Sequence, residues 1–391
     1  MMSPDQRQLQ LPFFDNVHRT LADEIAAWAA RQNIDESDDR AACCQWVVAL
    51  GDAGFLRWVV PAAQGGALPA LDSRALVILR ETLAFHSPLA DFSFAMQGLG
   101  SGAITLVGTD EQKTEYLVPV GRGEKIAAFA LSEPEAGSDA GALATTAVRD
   151  GDDWVLNGIK TWISNGGIAD YYCLFAKTDT AAGTRGISCF LVDADTLGLD
   201  ASEHIRVMAP HPLATIKLNN CRIPVTALLG EENAGFKLAM QTLDIFRASV
   251  AAAALGFARR ALAEATQHAK SRKMFGHTLA DFQLTQAKLG QMAADVDAAA
   301  LLTYRAAWLR DDAVRRGLST RVTSEAAMAK MVATENAQRV IDAALQMHGG
   351  LGVKVGTKVE SLYRDIRSLR IYEGATEVQQ LIIGKSVLAG G

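Results

Sequence analysis

One glutamate near the end of the chain has the surroundings of a general base. Glu373 stands in the segment Tyr372-Glu-Gly-Ala-Thr-Glu377, between an apolar stretch and a final helix predicted over 378–388. An aromatic neighbour and a following glycine can desolvate a carboxylate, which raises its pKa toward the range that suits proton abstraction. A surface glutamate at a helix N-terminus, stabilised by the helix dipole, explains the same residues. Alone, the segment favours this second interpretation.

Two segments of the middle third could present hydroxyls and an aromatic ring to a ligand. Segment 129–139 follows a predicted buried strand, and segment 157–167 contains Trp162 and Ser164. Ser132 and Ser164 could each end a strand and offer a hydroxyl beside the flat apolar wall of Trp162. Each segment alone is explained more simply by a turn beside a core tryptophan.

Two further segments interrupt the helical pattern of the last third. Arg272-Lys-Met-Phe-Gly276 puts a guanidinium beside an aromatic ring, and an arginine at such a break can clamp a phosphate bidentately. Gln346-Met-His-Gly-Gly350 ends a helix with glycines that let a ligand or a neighbouring chain approach the backbone. Taken alone, each favours an ordinary helix C-cap and loop.

The periodicity that must position these residues changes twice along the chain. Apolar residues recur at helical spacing up to about 121, at alternate positions from about 125 to 230, and at helical spacing again afterwards. Predicted helices cover 15–31, 40–50, 72–85, 236–271, 281–316 and 320–347. Predicted strands cover 126–131, 145–149, 154–156, 160–164, 171–177, 186–192 and 215–218, with turns at Asp150-Gly151 and Asn157-Gly158.

This order predicts an α+β multidomain fold. An N-terminal α-helical domain is expected over 1–122, a middle antiparallel β-barrel or sandwich domain over 123–232, and a C-terminal long-helix bundle over 233–391. The glycines of 98–103 match a dinucleotide-binding loop only loosely. They stand in a helical region without the strand and parallel sheet that such a loop needs, so we expect them to serve helix packing.

Composition limits the classes of partner. The 391 residues are 49% hydrophobic and 21% charged, with a net charge of −6, which argues against a nucleic-acid coat or a membrane-surface protein. The longest apolar stretch, 248–258, is shorter than the ~18 residues of a membrane span. Five cysteines without ligand or framework spacing predict reduced thiols, no metal site and, with no signal-peptide pattern, a cytoplasmic protein.

Taken together, the segments resemble the acyl-CoA dehydrogenase family over nearly the whole chain. The resemblance lies in the helical, β, helical order and in five segments that keep the family's order. These are Ser-Glu-Pro…Gly-Ser-Asp, Asn-Gly…Lys-x-Trp-Ile-Ser-Asn-Gly, Arg-x-x-Phe-Gly, Gln-x-x-Gly-Gly and Tyr-Glu-Gly. The resemblance implies FAD as cofactor, an acyl-CoA as substrate, and electron-transfer flavoprotein or a similar acceptor as partner. It also implies a homotetramer or dimer, because family members share the FAD site between subunits.

The resemblance also implies which residues bind and react. Those expected at FAD are Phe129, Leu131, Ser132, Trp162, Ile163, Ser164, Arg272, Phe275, Gln283, Gln346, Gly349, Gly350, Ala375 and Glu377. Those expected at the substrate are Ser138, Asp244, Arg247 and Gly374. Glu373 matches the base that removes the α-proton while the β-hydrogen leaves as hydride to flavin N5. Some branches carry the base just before the arginine that Arg247 matches, but Phe246 stands there and cannot accept a proton.

Departures from the family pattern concern the cofactor rather than the reaction. Glu135 stands where the family often has glycine, and Ala375 replaces a common hydroxyl residue. One alternative is a flavin oxidase or monooxygenase on the same scaffold with a non-CoA substrate, although Glu373, Ser138 and Arg247 together favour CoA. A DNA-associated relative without enzymatic activity would need a basic excess that the charge does not provide.

Overall fold

The structure, a computed structural model, describes residues 6–318 and 322–390. By their internal contacts these residues form two compact units. The helical unit takes the described parts of Met1–Asn33, Asp72–Asp91 and Asp244–Gly391, and the sheet unit takes Ile34–Leu71 and Phe92–Leu243. The predicted domain boundaries after 122 and 232 stay a prediction.

Most helices occur where helical periodicity predicted them. They are α1 (Asn16–Ala29), α2 (Asp39–Asp52), α3 (Ser73–His86), α4 (Pro88–Val107), α5 (Gly235–Ser271), α6 (Gln283–Arg315), α7 (Thr323–His348), α8 (Lys358–Leu369) and α9 (Thr376–Leu388). Short helical turns cover Asp110–Gln112, Lys113–Leu117 and Val118–Arg122. Helix α3 begins as predicted at Asp72, whose side chain accepts the Ala75 N–H at 2.8 Å. The predicted start of α7 at Thr320 lies outside the described residues.

A seven-stranded sheet forms the core of the sheet unit. Its strands are β1 (Ala127–Ala130), β2 (Thr146–Asp150), β3 (Asp153–Ser164), β4 (Tyr171–Lys177), β5 (Ile187–Asp193), β6 (Leu199–Ile205) and β7 (Leu213–Pro224). The order is β1-β4-β2-β3-β7-β6, with β5 also paired to β4. The long pairings β2–β3, β3–β7, β4–β5 and β6–β7 are antiparallel, as predicted, whereas β1 runs parallel to β4. Leu156, Leu174, Phe190 and Ile216 are fully buried in this core.

The turn predicted at Asn157-Gly158 is wrong. Strand β3 continues through both residues, and its register against β7 shifts between Leu156 and Gly158. Gly158 has φ +151°, and a Cβ there would lie 2.7 Å from the Thr145 Cα, so the glycine allows close approach within a bulged strand. A second register shift lies between Lys160 and Ile163.

Several elements, among them β6, α4 and α8, were not predicted individually. Strand β6 is mostly exposed and therefore lacks the apolar alternation that identifies a half-buried strand. Helix α8 buries Val359, Leu362 and Ile366 at helical spacing. No helix was predicted for the residues of α8, and no strand for those of β6.

The glycine cluster of 98–103 lies within α4, as expected. A Cβ on Gly100 would lie 2.7 Å from the Ala127 Cβ and 2.8 Å from the Ala128 nitrogen, so this glycine lets α4 approach β1 closely. Its role is helix-to-strand packing.

Helix α5 is long and apolar enough to cross a membrane by length and composition, which the sequence analysis had not expected. Of its 18-residue apolar window, 78% is buried within the fold. That is the behaviour of a core helix. All five cysteines are free thiols, and the buried Cys173 and Cys189 sulfurs lie 3.3 Å apart.

Candidate active site

Glu373 lies in the loop between α8 and α9 of the helical unit. Its backbone is left-handed, with φ +52°, and the residue as a whole is half-buried. The Oε2 atom is enclosed and accepts no hydrogen bond. Buried carboxylate oxygens are almost always satisfied. An enclosed acceptor in a sparsely populated backbone conformation marks a functional position.

Burial and nearby charges act in opposite directions on Glu373. Burial raises the pKa of its carboxyl, and Asp91 adds to the increase, while Arg80, Lys330 and Arg247 lower it. The net direction is upward from the ordinary range. A carboxylate with a raised pKa accepts a proton more readily at neutral pH.

Side chains of α7 and α9 hold the loop that carries Glu373. The Lys330 ammonium donates to the carbonyls of Tyr372, at 2.9 Å, and of Gly374. Gln379 donates to the Glu373 carbonyl at 3.3 Å and to the Gly374 carbonyl at 2.9 Å. The Gly374 backbone, with φ +93°, leaves no room for a Cβ beside the Gln379 amide. The loop is therefore fixed on both sides of Glu373.

A second link fixes the ends of the same loop. Glu335, five residues beyond Lys330 on α7, accepts hydrogen bonds from Arg370 at 2.9 Å and from Thr376 at 2.7 Å. Arg370 ends α8, and Thr376 begins α9. A single helix, α7, thus holds the centre of the loop through Lys330 and its ends through Glu335.

Arg247 and Asp244, predicted at the substrate, lie together on α5. The Arg247 guanidinium pairs with Asp244, whose other oxygen accepts the Thr323 hydroxyl at 2.9 Å. Arg247 is 6% exposed, and its Nε donates no hydrogen bond. Phe246, which stands between these two residues in the sequence, is buried, and its side chain carries no hydrogen-bond acceptor. Gly374, the fourth predicted substrate residue, is placed in the Glu373 loop.

A cavity of about 620 Å³ lies elsewhere in the helical unit. Arg272, Lys288 and Gln346 line it together with the backbone of Gly349 and Gly350. Gln283 begins α6 on the exposed side and does not line it. Two cationic side chains, an amide and a glycine backbone suit an anionic diphosphate. The structure thus brings together the two predicted segments that begin at Arg272 and Gln346.

The remaining predicted residues of the helical unit are more exposed. Phe275 is 84% exposed and has φ +50° in the short hairpin formed by Lys273–Met274 and His277–Thr278. Ala375 is the N-cap residue of α9, and Glu377 lies exposed in its first turn. As an alanine, Ala375 offers no side-chain cap, which agrees with the departure seen in the sequence.

In the sheet unit the two predicted ligand-lining segments lie side by side. The Thr161 N–H donates to the Ser132 carbonyl at 3.0 Å. Trp162 is 58% exposed with φ +59°, and Ser164 ends β3. An indole held exposed in a strained conformation is available for stacking.

Other predicted residues of this unit serve different environments. The Phe129 ring lies 5.0 Å from the Phe175 ring. The Leu131 and Ile163 side chains are buried, so only their backbones can reach a ligand. Ser138 is exposed in the turn that follows Ser132.

A buried ion pair that the sequence analysis missed connects these segments. Lys160 is fully buried and donates to Glu133 Oε1 at 2.7 Å and to the Leu131 carbonyl at 3.1 Å. Glu133 also accepts the N–H groups of Ala144 and Thr145. Burial lowers the pKa of Lys160 to about 8, although Glu133 opposes the shift. The pair holds the Ser132 segment against β3 next to Trp162.

Positive φ angles mark three of the predicted non-glycine positions. Apart from asparagines, the non-glycine residues with left-handed backbones in the described ranges are Trp162, Phe275 and Glu373. Bulky side chains rarely adopt this conformation, and it persists only where the surroundings impose it. Backbone strain therefore coincides with one residue of each of three predicted segments. In the same described residues no group of histidines, cysteines and carboxylates could hold a metal ion.

Comparison with known proteins extends the resemblance. Models of the acyl-CoA dehydrogenase N-terminal, middle and C-terminal domains match residues 3–124, 128–221 and 233–388. The chain is 42% identical to the 3-(aryl)acrylate reductase of Clostridium sporogenes, over 96% of this chain and 100% of that protein. It is 41% identical to the caffeyl-CoA reductase-Etf complex subunit CarC of Acetobacterium woodii, over 86% of this chain and 87% of that protein.

A solved structure is similar over almost the whole chain. It is the acyl-CoA dehydrogenase complexed with FAD from Bacillus anthracis, with a TM-score of 0.89 and 31% identity. The similarity covers 96% of this chain and 67% of that one.

Proposed function

This chain belongs to the acyl-CoA dehydrogenase family of FAD-dependent oxidoreductases, and on that premise we propose that it dehydrogenates an acyl-CoA thioester between its α and β carbons. Glu373 is the base that removes the α-proton. The observation that carries the proposal is the enclosed Glu373 Oε2, which accepts no hydrogen bond and belongs to a carboxyl whose pKa is raised. That atom is an acceptor prepared for a proton.

The residues present fit FAD. The exposed Trp162 ring suits stacking against a flat cofactor, and the cavity lined by Arg272, Lys288 and the Gly349-Gly350 backbone suits a diphosphate. When bound, FAD supplies the acceptor for the β-hydrogen, which leaves as a hydride. Ser132 and Ser164 would offer hydroxyls to its ring system, and Gln346 would offer an amide at the cavity.

Removal of the α-proton depends on Glu373 and on the cations around it. A thioester makes the α-proton weakly acidic, so a carboxylate within hydrogen-bond reach can remove it. Arg80, Lys330 and Arg247 lower the pKa of the carboxyl and so favour its ionised form, whereas burial raises the pKa and makes the carboxylate a stronger base. The Arg247 Nε, buried without a partner, is a donor available to the substrate.

The same residues support the reverse reaction, reduction of an enoyl-CoA. Two relatives, each matched over most of its own length, are named as reductases, one of a 3-(aryl)acrylate and one of caffeyl-CoA. A carboxyl with a raised pKa can also be held protonated, and Glu373 would then return a proton to the α-carbon. The physiological direction follows from the electron partner. We propose an electron-transfer flavoprotein for that partner, because the caffeyl-CoA relative is a subunit of an Etf complex.

Replacing Glu373 with glutamine tests the assignment. We expect the variant to bind FAD and to lose reduction of the flavin by acyl-CoA by about 10²–10⁴-fold, the usual contribution of a general base. Anaerobic stopped-flow absorbance with a panel of short-chain, branched and aryl acyl-CoAs measures the rate. Glu24→Gln, which changes an exposed carboxylate on α1 outside every predicted site segment, is the matched control. Full flavin reduction in the Glu373 variant would overturn the proposal, and rapid peroxide formation by the wild type would favour an oxidase instead.

A shared cofactor site also implies more than one subunit. The cavity of the helical unit is lined by residues that the family resemblance places partly at a neighbouring subunit's FAD. We propose a homotetramer or a dimer, which native mass spectrometry of the FAD-loaded protein distinguishes from a monomer.

A further inference from the structure

We propose that Lys330 is the positioning residue for Glu373: its ammonium bridges the two peptides beside the base and supplies the buried positive charge that the carboxylate needs. The proposal rests on the proposed function of Glu373. Neither residue spacing nor the family resemblance had singled out Lys330. Its contacts, its burial and its surrounding charges carry the assignment.

The hydrogen bonds of Lys330 act on the strained part of the loop. Its Nζ donates to the carbonyl before Glu373, on Tyr372, and to the carbonyl after it, on Gly374. Glu373 has φ +52° and Gly374 has φ +93°, so two successive residues are left-handed. Such a conformation costs about 1–3 kcal/mol per non-glycine residue and needs support from its surroundings. One ammonium satisfies both carbonyls that this backbone turns inward.

The charge of Lys330 is not neutralised by a close carboxylate. Lys330 is fully buried, and in the described ranges no carboxylate oxygen lies within 4 Å of its Nζ. By contrast, the equally buried Lys160 has Glu133 at 2.7 Å. Burying an ammonium without a counter-ion is costly. The Lys330 charge therefore has to be compensated at longer range.

The charged groups that face Lys330 identify what compensates it. Burial lowers the pKa of Lys330 to about 8, Glu373 is the largest charge opposing the decrease, and Arg247 on α5 adds to it. Glu335 on α7 and Glu377 on α9 oppose it more weakly. The carboxylate most strongly coupled to Lys330 is thus the base, and Lys330 in turn lowers the pKa of Glu373. The hydrogen bonds and the charges of Lys330 therefore both identify Glu373 as the residue on which it acts.

The test measures how the rate of flavin reduction by acyl-CoA depends on pH, using FAD-loaded protein. In Lys330→Met the carboxylate loses a neighbouring cation, so the midpoint of the acidic limb should rise by about 1 pH unit. The plateau rate should fall about 10- to 100-fold, because the base is less well placed. Lys330→Arg keeps the charge and donors and should restore the midpoint.

Thr334→Val is the matched control. Its hydroxyl donates only to the Lys330 and Met331 carbonyls of its own helix, so the variant disturbs α7 at a buried position without touching the loop. We expect its pH profile to coincide with that of the wild type. A Lys330→Met enzyme that binds FAD and keeps the wild-type midpoint would overturn the proposal, whatever its rate.

A second measurement covers the case in which Lys330→Met does not fold. Wild-type Lys330 should lose its proton above about pH 8, whereas arginine does not titrate in this range. A neutral amine binds the two carbonyls less strongly than an ammonium does, so the wild-type rate should decline more at alkaline pH than the Lys330→Arg rate, with Lys160 titrating in both proteins. Coinciding alkaline profiles would overturn the proposal. Full flavin reduction by Glu373→Gln would instead show that Glu373 is not the base, which separates failure of the proposed function from failure of the role of Lys330.

Discussion

Two buried lysines support strained residues in the two units, and they do so with different partners. Lys160 in the sheet unit is paired with Glu133 at 2.7 Å, and the pair holds the strand that carries Trp162. Lys330 in the helical unit donates to backbone carbonyls around Glu373. Both are fully buried, and burial lowers the pKa of each to about 8.

The difference in partner separates a structural lysine from one that serves chemistry. Glu133 accepts two backbone N–H groups and the Lys160 ammonium, so every charge in the sheet unit's pair is matched locally. The charge of Lys330 acts instead on Glu373, whose Oε2 accepts no hydrogen bond. A neutralised charge fixes a backbone, whereas an unneutralised one can also set the pKa of a neighbour.

Replacement of each lysine by methionine should separate them most clearly through stability. In Lys160→Met the Glu133 carboxylate stays buried without a counter-ion, which costs about 3–5 kcal/mol of unfolding free energy. Lys330→Met removes donors from two carbonyls, one of which keeps Gln379, and should cost about 1–2 kcal/mol.

Urea unfolding of the FAD-loaded variants measures both losses. The double variant Glu133→Gln/Lys160→Met serves as the control, because it removes the unmatched charge and should recover part of the stability. Equal losses for the two single variants would remove the distinction between the lysines.

Alkaline pH should affect stability and activity in opposite directions through Lys330. Its pKa is about 8 in the fold against an ordinary 10.5, so between these values the folded protein has released a proton that the unfolded chain keeps. The unfolding free energy therefore rises with pH across this window, by about 1–3 kcal/mol. Activity should decline over the same window, because a neutral Lys330 holds the two carbonyls of the Glu373 loop less strongly.

The comparison with Lys330→Arg isolates this effect. Arginine stays charged, and Lys160 contributes equally to both proteins, so the difference between their urea midpoints at pH 8 and pH 10 reports Lys330 alone. A difference that does not change with pH would show that Lys330 does not titrate in this window.

Replacement of one glycine in each unit should give the smallest difference in unfolding free energy between the units. Gly158→Ala places a Cβ 2.7 Å from the Thr145 Cα, which is backbone and cannot move aside, and should cost about 2–3 kcal/mol. Gly374→Ala meets only the end of the Gln379 side chain and should cost about 1 kcal/mol, chiefly through its φ of +93°.

Activity should reverse that order. Gly374 adjoins the base, so its alanine variant should lose more of the flavin-reduction rate than Gly158→Ala does once both are folded and FAD-loaded. Thermal unfolding and stopped-flow reduction give the two rankings. The same ranking in both measurements would contradict the assignment of the Glu373 loop to the chemistry.

Sequence periodicity predicted most of the fold because helices and buried strands leave regular patterns. The bulge at Gly158 leaves no such pattern. After it, the apolar side chain at 159 points to solvent and the charged side chain at 160 points into the core. Ile159 is 44% exposed, whereas its neighbour Lys160 is fully buried, the opposite of what their polarity suggests. The sequence pattern therefore gives no sign of the buried ion pair in β3.

Glu373 was predicted from its neighbours in sequence, but the residues that govern it come from distant parts of the chain. Arg80, Arg247 and Lys330 lie on α3, α5 and α7. For Lys330 a signal was present: it shares a helix face with the alanines at 326, 327, 333 and 337, all fully or almost fully buried. A lysine within such an apolar stripe indicates a buried charge.

The way the chain is divided between the two units has a consequence for synthesis on the ribosome. Every residue of the sheet unit has been made once residue 243 is added, whereas the helical unit draws on both the first 33 residues and the last third of the chain. About 150 residues then remain, which at about 5–20 residues per second takes roughly 7–30 seconds. The segment that carries Trp162 can therefore fold around the Lys160–Glu133 pair while the residues that will carry the base have yet to be translated.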